Sequence, residues 1–274
     1  MSNPPKAWMD VSTNELKGIR GICLDIDDTL STGGKLTSPA YESLWRLKAA
    51  GFAVVPITGR PAGWCDHFAR FWPVDAVVGE NGAFTFFMHK NCRKRINTLD
   101  ETSEPNQVQD KLLELRDKIK LRFPQARWAS DQAYREYDLA VDICEDVEPW
   151  SSEEVTALLT FCEQQGAHAK LSSIHVNIWY GDYDKRRGFQ NWLDHGSPGC
   201  KEPLPSIHQW IYAGDSPNDE PMFKAFPFSV GVANLKRYLP GLRHPPTWIT
   251  PSESGNGFVQ IADKLIAGVG GGLS

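Results

Sequence analysis

Short apolar runs, each closed by glycine or acidic residues, recur along the first third of the 274-residue chain. Residues 18–27 carry Ile22-Cys23-Leu24 without polar alternation, the mark of a strand covered on both faces. Residues 39–50 set Tyr41, Leu44, Trp45 and Leu47 at helical spacing and stop at Gly51. A second apolar run, residues 52–57, leads into Thr58-Gly59-Arg60. Strand, helix and strand at this spacing predict a βαβ unit and hence a parallel sheet. An aromatic-rich helix with Trp64, Phe68 and Phe71 follows, and then the strand Ala76-Val77-Val78, which ends in Gly79-Glu80-Asn81-Gly82.

Beyond Gly82 the pattern changes. Residues 83–88 and 92–98 read as an exposed hairpin, and residues 106–122 as a long amphipathic helix. Residues 137–143 and 175–180 alternate like half-buried strands, and Ser151 with Glu154 forms a capping box for a helix that stops at Gly166. Strands with one polar face belong to an antiparallel sheet covered on one side. Residues 83–181 are therefore expected to form a separate α+β cap, inserted into an α/β, Rossmann-like core of residues 1–82 and 182–274. Parallel character returns at residues 210–213, before Gly214-Asp215-Ser216-Pro217-Asn218-Asp219, and again at 228–232 and 247–249. The glycine-rich residues 268–272 read as a flexible tail.

Composition narrows the function. Hydrophobic residues at 41% supply a sizeable core and exclude wholesale disorder. The net charge of −5 gives no basic surface, so neither nucleic acid nor an anionic membrane is an expected partner. Cysteines 23, 65, 92, 144, 162 and 200 lack Cys-x-x-Cys spacing and read as reduced thiols, and the seven histidines lack zinc-site spacing. With no apolar leader and no run near the ~20 apolar residues of a membrane span, a cytoplasmic location is expected. Small-molecule chemistry remains.

Ligands of an open parallel sheet bind outside the carboxyl ends of its strands. Here those positions hold Asp25 and Asp27, Thr58, and Asp215 and Asp219. Carboxylates converging on one spot repel one another unless a cation is present, and Mg²⁺ suits carboxylates that share it with a substrate phosphate.

Four segments then stand out: Asp25-Ile26-Asp27-Asp28-Thr29-Leu30, Ile57-Thr58-Gly59-Arg60, Asp184-Lys185 and Gly214-Asp215-Ser216-Pro217-Asn218-Asp219. In kind and order they resemble the motifs of the haloacid dehalogenase-like (HAD) phosphatases. The large insert, with Glu80-Asn81-Gly82-Ala83 at its entrance, is similar to the class IIB, Cof-like branch that includes sugar-phosphate phosphatases. The resemblance implies an Mg²⁺-dependent phosphomonoesterase acting on a sugar phosphate or similar small phosphorylated metabolite. It implies Asp25 as nucleophile and Asp27 as general acid/base, with Thr58, Gly59 and Lys185 on the phosphoryl oxygens. It further implies a metal at Asp25, the Asp27 carbonyl and Asp215, with Asp219 either a ligand or an organiser of Lys185, and Asn218 in support. Asp28 departs from the glycine often found at its position and adds a fifth carboxylate.

Other readings stand beside these. Thr58 also suits an N-cap, and Arg60 either touches phosphate or pairs with a carboxylate. Only motif order selects Lys185 over Arg186 and Arg187. Trp128, Trp150 and Trp179 are the aromatic residues of the insert placed to stack on a sugar ring, and His175, Asn177 and Trp179 share one face of a strand as substrate candidates. A phosphomannomutase-like mutase, or a non-catalytic phospho-aspartate or ligand-binding protein, would use similar residues.

Overall fold

A computed structural model describes residues 4–99, 105–195 and 205–270. The chain enters through β1 (Lys6–Ala7) and the short α1 (Thr13–Leu16), and continues into β2 (Gly21–Leu24), α2 (Ser38–Ala49), β3 (Ala53–Pro56), α3 (Ala62–Phe71) and β4 (Ala76–Gly79). The hairpin β5 (Phe84–His89) and β6 (Cys92–Asn97) precedes α4 (Pro105–Arg122), β7 (Arg127–Trp128), β8 (Asp138–Asp142), α5 (Ser152–Gln164), β9 (His168–Leu171) and β10 (His175–Trp179). The return runs through α6 (Lys185–His195), β11 (Trp210–Gly214), α7 (Glu220–Ala225), β12 (Phe228–Gly231), β13 (Trp248–Ile249) and α8 (Ser254–Gly270).

The central sheet has the order β1-β13-β12-β11-β2-β3, every pairing parallel. It is buried on both faces, as its unalternating sequence requires. Ile22 and Leu24 point into a core with Leu44, Leu47, Phe258 and Ile261 of α2 and α8. Cys23 and Tyr212 point the opposite way, towards Phe189 and Trp192 of α6 and Met222 of α7. The fold class is α/β with a parallel sheet. The second, four-stranded sheet has the order β7-β8-β10-β9, all antiparallel, and packs against α4 and α5 through Leu115, Ile119, Val141, Leu158 and Val176. No helix among the described residues is long and apolar enough to cross a membrane.

Four expectations change. The hairpin is not exposed along β5: Phe84, Phe86 and Phe87 are buried, and β5 pairs with β4, which lies beside β3 through the parallel bridge Ile57–Val78. It packs on α3 and α6, so it extends the sheet of the core. Strands β8 and β10 are buried on both faces. Their alternation is real, but the polar face meets the core instead of water. Residues 268–270 continue α8 as helix, while residues 271–272 and Cys200 lie outside the described residues. Several of the ten tryptophans serve packing: Trp8, Trp192 and Trp210 are fully buried, and Trp8 and Trp248 meet edge to face.

α6 approaches the turn at residues 80–82 with backbone on backbone. A Cβ at Gly188 would lie 2.6 Å from the Gly82 Cα and 2.7 Å from its carbonyl oxygen. Alanine is otherwise the better helix former by about 1 kcal/mol. Gly188→Ala is therefore expected to destabilise by about 1–3 kcal/mol in urea unfolding, and a stabilised variant would contradict this packing.

Candidate active site

β2 and β11 are neighbours, so their carboxyl ends deliver Asp25 and Asp215 side by side, both buried. The turn after β11 returns Asp219 beneath them, and carboxylate oxygens of all three lie within 4.8 Å of one another. Lys185, the first residue of α6 and only 2% exposed, brings its Nζ to 2.9 Å from Asp25 Oδ1 and 2.7 Å from Asp219 Oδ1. Motif order had selected Lys185 over its basic neighbours, and it is Lys185 that enters the cluster. Asp219 is fully engaged: besides Lys185 it accepts from the Tyr212 hydroxyl and from the amides of Asp215 and Ser216. These bonds tie Asp219 to Lys185 and the turn.

Asp215 has only long contacts, from Thr29 Oγ1 at 3.3 Å and Asn234 Nδ2 at 3.4 Å. Burial, reinforced by Asp219 and Asp25, pushes its carboxyl well above the usual range. Burial likewise pushes Asp25 up to about 7, with Lys185 opposing and Asp219 and Asp27 adding to the rise. Burial alone would discharge Lys185, but Asp219 and Asp25 more than reverse it, so the ammonium stays charged. With all three ionised, the carboxylates against one ammonium would leave a buried charge of about −2, which is why burial favours their protonated forms unless a cation is present. A divalent cation on the open oxygens of Asp25 and Asp215 fits that deficit, and the all-oxygen donors fit Mg²⁺.

Thr58, fully buried at the end of β3, accepts the Arg60 amide at its Oγ1 at 3.0 Å, which leaves its hydroxyl proton to point elsewhere. A Cβ on Gly59 would sit 3.1 Å from both Asn177 Oδ1 and Asn81 Nδ2, so a side chain here would press on both amides. Asn218 accepts from Ser216 Oγ at 2.8 Å and reaches Asn81 Oδ1 at 3.4 Å. The buried Asn81 Nδ2 is left as a donor with no partner among the described residues.

Asp27 does not join the acidic cluster. Its carboxylate is turned away and gripped by Arg60, Nη2 to Oδ1 at 2.8 Å and Nε to Oδ2 at 3.0 Å, which leaves only the Asp27 carbonyl on the metal side of the expectation. Arg60, 5% exposed, also meets Glu145 Oε1 at 2.7 Å and Asp131 Oδ2 at 3.4 Å. Glu145 lies 2.9 Å from His175 Nε2, and its backbone is held because Asp142 accepts the amides of residues 144–146. Arg135 ties Asp131 and Asp138 to the Gly59 carbonyl, and Asn177 donates to Asp138 at 3.1 Å.

Of the expected substrate residues, His175 and Asn177 therefore face the core site. Trp179 does not: it is stacked between His168 and Tyr183, and its Nε1 donates to the Tyr183 carbonyl. Trp128 and Trp150 pack on the apolar core of the antiparallel sheet. Sequence reasoning missed Asp131, Arg135, Asp138 and Glu145 and left Arg60 out of the catalytic set. The signal available was the alternation of Asp138, Ala140 and Asp142 on one face of β8.

The family model described as haloacid dehalogenase-like hydrolase matches residues 22–134, a span holding Asp25, Asp27 and Thr58. Across 95% of the chain and 96% of the relative, 23% of residues are identical to Phosphoglycolate phosphatase 2 of Saccharolobus solfataricus. Over residues 22–134 the chain is thus similar to the haloacid dehalogenase-like hydrolases. Among solved structures, the chain superposes on the C. albicans trehalose-6-phosphate phosphatase C-terminal domain with a TM-score of 0.70 at 14% identity, covering 97% and 99% of the two chains. It superposes on the Thermoplasma acidophilum protein 0175 with a TM-score of 0.68 at 19% identity, covering 90% and 98%.

Glu145 is the acid that joins the antiparallel layer to Arg60, and hydrogen bonding to His175, then Arg60, against the cost of burial, hold it down at about 2. A depressed carboxyl contributes stability above its unfolded pKa of ~4.5 and loses it as pH falls towards the folded value. After discounting for partial exposure, Glu145→Gln is expected to cost about 1 kcal/mol at neutral pH. Denaturant midpoints of wild type and variant should converge between about pH 4.5 and 2, and a gap that persists at the acid end would contradict the ion-pair account.

Proposed function

We propose that the protein is an Mg²⁺-dependent phosphomonoesterase that hydrolyses a sugar phosphate or similar small phosphorylated metabolite through an aspartyl phosphate on Asp25. The observation that carries this reading is the Lys185 ammonium bridging Asp25 and Asp219 beside the open carboxylate of Asp215. The names of relatives that are phosphatases, among them one for trehalose 6-phosphate, support the class of substrate.

In this reading the phosphoryl group sits between Asp25, Thr58 and Lys185. Asp25 attacks phosphorus in line, the ester oxygen leaves, and water then cleaves the acyl phosphate to regenerate the carboxylate. Lys185 and the Thr58 hydroxyl hold phosphoryl oxygens as charge shifts onto them, and the unpartnered Asn81 amide is a further donor at that wall. Asp27 delivers a proton to the leaving oxygen and takes one from the attacking water, which requires its carboxylate to leave the Arg60 fork. Asp25, the Asp27 carbonyl and Asp215 would hold Mg²⁺, which when bound supplies charge neutralisation for the incoming phosphate. Asp219 and Asn218 act on position, through Lys185 and Asn81. The cap in this reading begins after the hairpin, near residue 98, and ends near residue 182.

Asp25→Asn keeps the shape of the side chain and removes the nucleophile. Release of phosphate from an aryl phosphate should fall by at least about 1,000-fold while unfolding stays cooperative. Activity within tenfold of wild type would overturn the assignment.

A further inference from the structure

A cavity of about 360 Å³ opens beside Asp27. Its walls include Asp27, Asp28, Ser31, Glu145, Ser173 and Arg237, and neither Asp25 nor Lys185. On the phosphomonoesterase reading, a chamber that touches the acid/base carboxylate and not the nucleophile is where the leaving group lies. Its volume is at the small end of the ~300–1,000 Å³ of ligand pockets, a space for a monosaccharide-sized group.

Asp28 is the unusual residue in that wall. Its φ of +56° lies in the left-handed region, where glycine is the unstrained choice and other residues are disfavoured by about 1 kcal/mol or more. The conformation is imposed from both sides, because the Asp28 amide donates to Ser31 Oγ at 3.2 Å and its carbonyl accepts from Asn234 Nδ2 at 2.9 Å. A carboxylate thus stands at a position that suits glycine, half-buried on a cavity wall. Opposite it, from the antiparallel layer, the Ser173 hydroxyl stands on the same cavity wall. Arg237 stacks over Tyr238 at the rim.

The charges decide what this wall accepts. Arg60 is committed to Asp27 and Glu145, which leaves Asp28 and Arg237 as one acceptor and one donor group with the Ser173 hydroxyl between. The lining as a whole carries three carboxylates and two guanidiniums. Alternating donors and acceptors with no positive excess suit hydroxyl groups and oppose a second anionic group on the substrate.

We propose that Asp28 is a specificity-determining residue that selects a neutral, hydroxyl-bearing leaving group and rejects one carrying a carboxylate. The test rests on the Mg²⁺-loaded enzyme and on a ratio within each variant, kcat/KM for the best of a panel of neutral sugar and polyol monophosphates over kcat/KM for 2-phosphoglycolate. This ratio is independent of the amount of folded protein, and Asp28→Gly removes left-handed strain, so folding is not at risk. Wild type should favour the neutral ester at least tenfold. Asp28→Asn should lower the ratio at least fivefold by raising turnover of phosphoglycolate, and Asp28→Gly should lower it by also losing turnover of the neutral ester. A wild-type preference for phosphoglycolate, turnover of an aryl phosphate with none of the panel, or a ratio unchanged in both variants would overturn the role of Asp28 and leave the phosphatase reading standing. Wild type inactive on every ester, the aryl phosphate included, would overturn both.

Discussion

Three carboxylates and a single ammonium, sealed at the carboxyl ends of two adjacent parallel strands, form the constraint around which the remainder of the molecule is arranged. Burying unmatched charge costs several kcal/mol per ion unless partners are fixed in place. The fold supplies them: Lys185 at the start of α6, the Tyr212 hydroxyl from inside β11, and the two amides that follow that strand. Each of these satisfies Asp219. Asp215, and Asp25 beyond its contact with Lys185, are left with open oxygens. The geometry thus separates the acid that organises from the acids that can bind.

The second organising contact is Arg60. Its guanidinium lies between Asp27 of the core and Glu145 and Asp131 of the antiparallel layer, so a single side chain joins the acid/base candidate to the layer above it. His175 extends the chain through Glu145, and Arg135 runs a parallel connection from Asp131 and Asp138 to the Gly59 carbonyl. Glycine at 59 permits this approach, since any larger residue would press on Asn177 and Asn81. In the arrangement seen, Asp27 is held for Arg60 and not for a substrate, so binding of an ester has to exchange one set of contacts for the other.

Much of this was legible in the sequence, for a physical reason. Strands buried on both faces read as apolar runs, and a ligand site at their ends reads as the polar residues that follow, so Asp25, Thr58, Asp215 and Asp219 could be placed before any coordinates. The roof of the site was harder to read. Alternation along β8 and β10 announces a polar face without saying whether water or another layer covers it, and here the layer does. Asp131, Arg135 and Glu145 lie in loops and turns where charged residues are ordinary, so nothing local marks them. Trp179 shows the converse error, because its place on the correct face of β10 said nothing of the His168 and Tyr183 rings that enclose it. The departure at Asp28 was visible as a fifth carboxylate, but its meaning depended on a backbone dihedral that composition does not encode.

The central claim is that the buried acidic cluster is built around a divalent cation. A ligand that binds the native state alone raises the unfolding temperature, and the rise continues with the logarithm of its concentration once the site is filled. Thermal unfolding of metal-stripped protein titrated with Mg²⁺ tests the claim most directly: the midpoint should rise by several degrees and keep rising with the logarithm of excess Mg²⁺, with the rise abolished in Asp215→Asn. A midpoint indifferent to Mg²⁺, or a rise that survives loss of the Asp215 carboxylate, would contradict it.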